Sequence, residues 1–172
     1  WYTAPNLGTP DQYQFFLDAG PLSNLDKYYE DNFFWQQLRN HPDYDEFWQK
    51  RGIIQHLKDI TPAMMIVGGW FDAEDLYGPL TTYQTIEKNN PATYNTIVMG
   101  PWSHGDWSRR RQRQAVGNVY FGDYISDYYQ FNIERPFFHH FLKEDGESSP
   151  LPEAHMYDTG KKEWSSFEQW PP

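Results

Sequence analysis

The chain has 172 residues, among them eight Trp, 13 Tyr and 12 Phe, so rings make up 19% of it and half of its 38% apolar content. That length bounds it at one ordinary domain or a piece of a larger one, and the shortage of aliphatic side chains favours either a ring-rich groove or a segment whose remaining core lies in other sequence. A formal net charge of −10 argues against nucleic acid or anionic lipid as the main partner, no apolar run approaches the ~20 residues of a bilayer span, and the absence of cysteine excludes disulfides, thiolate metal sites and a cysteine nucleophile.

The start, Trp1-Tyr2-Thr3-Ala4-Pro5, has no initiator Met, basic region or apolar stretch. The expectation is a soluble, processed or excerpted chain with no visible signal peptide. Residues 1–60 read as short helices, with rings at helical spacing in Tyr13, Phe16 and Leu17 and again in Phe33, Phe34 and Leu38. His41-Pro42-Asp43 looks like a further helix start, with Pro and an acid in the first turn. From Thr61 the character changes. Ala63 to Val67 is an unbroken apolar run ending in Gly68-Gly69, and Thr96 to Met99 is another ending in Gly100-Pro101, the pattern of strands buried on both faces. Between them Leu76, Leu80, Tyr83 and Glu87 keep helical spacing until Asn89-Asn90-Pro91. This is a βαβ unit, whose parallel strands place both carboxyl ends on one sheet edge. Residues 105–122 read as loop, and the basic run Arg109 to Arg113 within them as a solvated segment. Asp123 to Leu142 reads as an aromatic helix interrupted at Pro136, residues 143–152 as a linker, and Ala154 to Tyr157 as the first strand of a second, β-rich domain over 153–172.

Chemistry concentrates at the two strand ends. Asp72 follows the first strand and His104 the second, where open parallel sheets bind and react. An acid and then a histidine match the later members of a Ser…Asp…His order, in which the histidine shuttles a proton and the aspartate fixes its tautomer. Alone, an Asp after a strand is as readily a helix cap. Glu74 and Asp75 either favour the positive end of the next helix or present carboxylates to a cation. His139-His140 lacks a ligand pattern, so no metal is expected; His41, His56 and His155 read as surface or packing residues. Trp70, Tyr77 and Trp102 flank the pair, with core packing their default role.

Gly69-Trp70-Phe71-Asp72-Ala73-Glu74-Asp75-Leu76-Tyr77-Gly78 followed by Met99-Gly100-Pro101-Trp102-Ser103-His104 resembles the α/β-hydrolases of the X-prolyl dipeptidyl-peptidase and cocaine esterase superfamily. Within it the resemblance is to α-amino acid ester hydrolases and glutaryl-7-aminocephalosporanic acid acylases. The stretch His41 to Trp48 is similar to that family's helical cap, and Arg135-Pro136-Phe137-Phe138 and Tyr157 to Pro171 to the entry into its jelly roll. The resemblance implies a partial α/β-hydrolase fold: the end of a cap over 1–60, the last βαβ unit and final helix over 61–142, and a truncated jelly roll from 153. It implies Asp72 as triad acid, His104 as general base, Glu74 and Asp75 as clamps for a substrate ammonium, no cofactor, a small acyl ester or amide as substrate, and an exported bacterial enzyme, with homo-oligomerisation left open. The family's Gly-x-Ser-Tyr-x-Gly nucleophile elbow has no match here. Ser103 belongs to the histidine loop and is rejected as nucleophile, so the chain supplies two triad members of three. The competing expectation is a carbohydrate-binding or glycosidase fragment in which Asp72 and Glu74 converge across a ring-lined cleft and His104 lies elsewhere; a third, compatible with the hydrolase reading, is that these 172 residues by themselves are catalytically silent.

Overall fold

The computed structural model describes residues 6–109, 112–143 and 151–171. Trp1 to Pro5, Arg110, Arg111, most of the expected linker and Pro172 lie outside them. The chain divides into two units, Trp1–Gly52 and Ile53–Pro172.

The first unit is helical. α1 (Gln12–Ala19) is capped by Asp11, whose carboxylate accepts the Gln14 N–H at 3.0 Å; α2 spans Asp26–Tyr29; α3 (Phe33–Asn40) is capped by Asn32, which accepts the Trp35 N–H at 2.9 Å. α4 (Glu46–Gln49) starts at Asp45 and not at Pro42. The Asp45 carboxylate accepts from Phe47 and Trp48 and also meets the His41 ring at 2.6 Å, so an N-cap braced by that ring outweighs the proline as a start signal. Among this unit's described residues only Leu25 is buried, while Tyr13, Leu17 and Phe33 stay largely exposed.

The second unit is an α/β layer structure. Its strands β1 (Met64–Gly69), β2 (Asn95–Gly100), β5 (Ala154–Asp158) and β6 (Glu163–Phe167) form one mixed sheet in the order β1-β2-β5-β6. β1, β2 and β5 are parallel and β6 is antiparallel to β5. Met64 pairs with Asn95 and Gly69 with Gly100, so the two expected strands are neighbours in register along their full length. α5 (Tyr77–Asn89) connects them. Its buried face is Tyr83 and Ile86, with Leu80 half-buried, while Leu76 falls before the first turn and is exposed.

The pleat sorts the core. Ile97, Met99, Ala154 and Met156 face Tyr83, whereas Val98 and Tyr157 face Trp102, Phe121, Ile125, Tyr129 and Ile133 on the other side. The spacing of four from Ile125 to Ile133 is one helical stripe, carried by α6 (Ile125–Tyr129) and a wide turn over Gln130–Glu134 that leads into α7 (Arg135–Leu142), while Phe121 joins it from the strand before α6. The irregularity thus precedes Pro136. That proline sits in the first turn of α7 and offers no N–H to the turn before it, and the widened turn absorbs the lost bond.

Three sequence expectations are corrected. β5 and β6, expected to open a jelly-roll domain, extend the central sheet, because Ala154 to Tyr157 is buried without alternation and Ile97 to Met99 offer β5 a parallel edge. The loop expected over 105–122 contains a hairpin, β3 (Arg113–Val116) and β4 (Val119–Asp123), turning at Gly117-Asn118. The helical region expected over 1–60 is divided at Gly52, and its last turn, Ile53–His56, belongs to the second unit, since Asn90 accepts the Ile60 N–H at 2.8 Å and donates to Leu57 O, binding this segment to the end of α5. No described helix is long and apolar enough to cross a membrane.

Candidate active site

β1 and β2 leave the sheet side by side, and their backbones stay joined. Trp70 N–H donates to Gly100 O at 2.9 Å and Phe71 N–H to Trp102 O at 3.1 Å. Glycine is required at both strand ends: a Cβ on Gly69 would stand 2.3 Å from the Trp102 carbonyl oxygen, and one on Gly100 2.3 Å from the Trp102 ring. Trp102 itself is fully buried, so the histidine loop hangs from a core residue.

This contact carries Asp72 and His104 together. The Asp72 side chain is 3% exposed and the His104 side chain 53%, and His104 Nδ1 lies 2.9 Å from Oδ2 and 3.2 Å from Oδ1 of Asp72. Asp72 Oδ1 also accepts the N–H groups of Glu74 at 2.9 Å and Asp75 at 3.1 Å. Burial alone would raise the Asp72 pKa, but these two backbone donors and His104 together bring it below the usual carboxylate value. An ionised carboxylate only accepts, so His104 carries its proton on Nδ1 and leaves Nε2 as the lone-pair nitrogen when neutral. The His104 pKa is raised, first by its hydrogen bond to Asp72, then by the charges of Asp72 and Glu74, against burial and the nearby charge of Arg109.

Glu74 and Asp75 diverge. Glu74 Oε2 is 3.9 Å from His104 Nε2 on an exposed side chain, while Asp75 Oδ1 accepts the Gly78 N–H at 2.5 Å and so caps the approach to α5. Of the flanking rings, Trp102 belongs to the core, the Trp70 indole donates to Tyr157 O at 3.1 Å, and Tyr77 is exposed. Phe71, the ring next to Asp72, is partly exposed and stacks on Phe121 at 5.0 Å.

The Ser103 hydroxyl donates to Asp106 Oδ2 at 2.6 Å. Asp106 is 1% exposed and was missed in the sequence, although Ser-His-Gly-Asp is a turn pattern that could have revealed it. Gln114, on the unexpected hairpin, donates to Pro101 O at 3.2 Å and braces the same loop. His155, on β5, is buried and is thus the packing residue of the two expected roles. Among the described residues no group of three or more His, Asp or Glu is placed to hold a metal ion. The glycosidase alternative required His104 to lie away from Asp72; it lies at hydrogen-bond distance.

Residues 3–106 match the family model of the X-Pro dipeptidyl-peptidase (S15 family). The chain is 26% identical over 140 residues to the cocaine esterase of Rhodococcus sp. (strain MB1 Bresler), a match covering 78% of this chain and 22% of that protein. It superposes on a solved aminopeptidase of a marine sediment Thaumarchaeota archaeon with a TM-score of 0.85 and 32% identity, over 100% of this chain and 28% of that one. On a solved α-amino acid ester hydrolase the TM-score is 0.87 with 27% identity, over 97% and 28%. The chain thus spans about a quarter of the length of these relatives.

Proposed function

Because the chain belongs to the X-Pro dipeptidyl-peptidase (S15) family, we propose that it supplies the acid and base of a serine hydrolase acting on esters or amides of small, amino-bearing acyl groups. The nucleophilic serine lies outside these 172 residues. Its hydroxyl oxygen attacks the acyl carbonyl while its proton passes to His104 Nε2, and the protonated Nε2 then delivers that proton to the departing alcohol or amine. Water, or an acceptor amine, is deprotonated by the same nitrogen and releases the acyl group, and the proton returns to the serine. Asp72 holds the Nδ1–H tautomer and stabilises the imidazolium. No metal or organic cofactor is needed for these steps. The single observation that carries this reading is the buried, backbone-braced Asp72 carboxylate at 2.9 Å from Nδ1 of a half-exposed histidine.

Glu74 and Asp75 are assigned to the substrate's ammonium, with unequal shares. The Glu74 carboxylate stands beside Nε2, whereas one oxygen of Asp75 is engaged by Gly78, so Glu74 takes the larger part. Peptide, ester and β-lactam amide substrates all meet these requirements. An acyl preference follows from the cation site, and α-amino esters are favoured over their des-amino analogues.

The test uses the full polypeptide that carries these residues and a small α-amino ester. Asp72→Asn should lower kcat by about 10³–10⁴-fold, with His104→Ala at least as severe. Near-parental turnover in either variant would overturn the assignment.

A further inference from the structure

We propose that Asp106 is a positioning residue for His104, acting with the Ser103 hydroxyl as a clamp that closes the turn 103–106 around the histidine. This rests on the reading of His104 as the base. A buried carboxylate is expensive unless its oxygens are satisfied, and Asp106, at 1% exposure, gives its Oδ2 to the histidine loop. Oδ2 accepts the Ser103 hydroxyl at 2.6 Å and the Ser103 N–H at 3.3 Å, and Oδ1 faces Arg109 at 3.5 Å. The backbone repeats the closure, with Asp106 N–H donating to Ser103 O at 3.1 Å. The turn is tied to the core by the fully buried Ser126, whose hydroxyl donates to Asp106 O at 3.0 Å.

His104 is the second residue of this turn. Its Cα therefore lies between Ser103, bonded twice to one buried carboxylate, and Asp106, which carries that carboxylate, and its ring reaches Asp72 from this closed turn. The Trp107 ring, 6.3 Å away edge-on, follows directly. Asp106 has an electrostatic consequence as well. It tethers Arg109, whose charge opposes the imidazolium that Asp72 and Glu74 favour. Ser103, which looks like a nucleophile candidate by position, is on this view a clamp whose proton is already engaged.

The test again uses the full polypeptide. Ser103→Ala removes one arm of the clamp while keeping the carboxylate, and Ser103→Thr restores a hydroxyl. A loop loosened by up to ~1 Å should cost about 10–100-fold. Ser103→Ala should therefore show kcat down by that factor with KM within about twofold, and Ser103→Thr should recover most of the loss. Asp106→Asn should lose at least as much, again in kcat with KM within about twofold. Parental kcat in Ser103→Ala beside a dead His104→Ala would overturn the clamp while leaving the base assignment standing. Loss of turnover in Ser103→Ala that Ser103→Thr fails to restore would also overturn it, and would point to Ser103 as nucleophile. Parental turnover in His104→Ala would remove both readings together.

Discussion

Replacing Gly69 with alanine tests how tightly the two site loops are coupled. The added Cβ would lie 2.3 Å from the Trp102 carbonyl oxygen, 2.9 Å from the carbonyl carbon and 3.2 Å from the Trp102 Cβ. The two nearest are backbone atoms and the third is the root of a buried side chain, so nothing can swing aside. Restoring 3.0–3.4 Å, the tight end of real Cβ contacts, requires the loop after β2 to retreat by about 0.7–1.1 Å. The Phe71 N–H to Trp102 O bond, now 3.1 Å, would break, and His104 would be drawn off Asp72 from its present 2.9 Å. The expected cost is about 1–3 kcal/mol of stability from overpacking and about 10²-fold in kcat from misplacement. Steady-state kinetics on an α-amino ester with the full polypeptide reads the second quantity, and a chemical denaturation curve reads the first. Gly52→Ala is the control, because its Cβ would meet nothing nearer than 3.5 Å. A folded Gly69→Ala protein with parental kcat would refute the claim that this contact sets the geometry of the pair.

Glu74→Gln removes one of the carboxylates that raise the His104 pKa, so the acidic limb of kcat/KM, which follows the deprotonated base, should move to lower pH; an unmoved limb would deny Glu74 any influence on Nε2. The same variant should lose efficiency on an α-amino ester far more than on its des-amino analogue, and equal losses would remove the cation role. His155 is buried with its pKa pushed down to about 4, well below the ordinary 6.5. The unfolded chain takes up that proton first, so stability should fall by about 2–3 kcal/mol as pH drops from near 6.5 to near 4. Urea unfolding should show this slope in the parent and a flatter one in His155→Gln; identical slopes would contradict it. Tyr83, fully buried, donates its hydroxyl to Glu153 and joins α5 to the segment entering β5, where Glu153 also accepts the Trp170 N–H at 3.1 Å. Tyr83→Phe should cost about 1–3 kcal/mol by removing one of the donors to that carboxylate, and a change below ~0.5 kcal/mol would show the bond to be dispensable.

The βαβ unit was legible because its signals are local. Two apolar runs end in Gly68-Gly69 and Gly100-Pro101, and parallel topology alone then brings Asp72 and His104 to one edge. The sheet's other half was not legible. Ala154 to Asp158 announces a strand, but its partner lies more than 50 residues away at Ile97 to Met99, and nothing local says which sheet a strand joins. The hairpin's Gly117-Asn118 turn was obscured by a run of Arg and Gln that reads as solvated loop, although Gln114 is buried and braces Pro101. Asp106 escaped for a related reason: an acid in a Gly-containing loop resembles any surface turn until its burial is known. The different surroundings of Glu74 and Asp75 likewise depend on where the chain enters α5, at Tyr77 and not at Leu76.

The most direct test is covalent. The full polypeptide, treated with a serine-directed fluorophosphonate and mapped by peptide mass spectrometry, should carry the adduct on a serine outside these 172 residues, and His104→Ala and Asp72→Asn should slow labelling steeply. An adduct on Ser103 or any other serine within the chain, or labelling that proceeds at the parental rate without His104, would contradict the division of the triad proposed above.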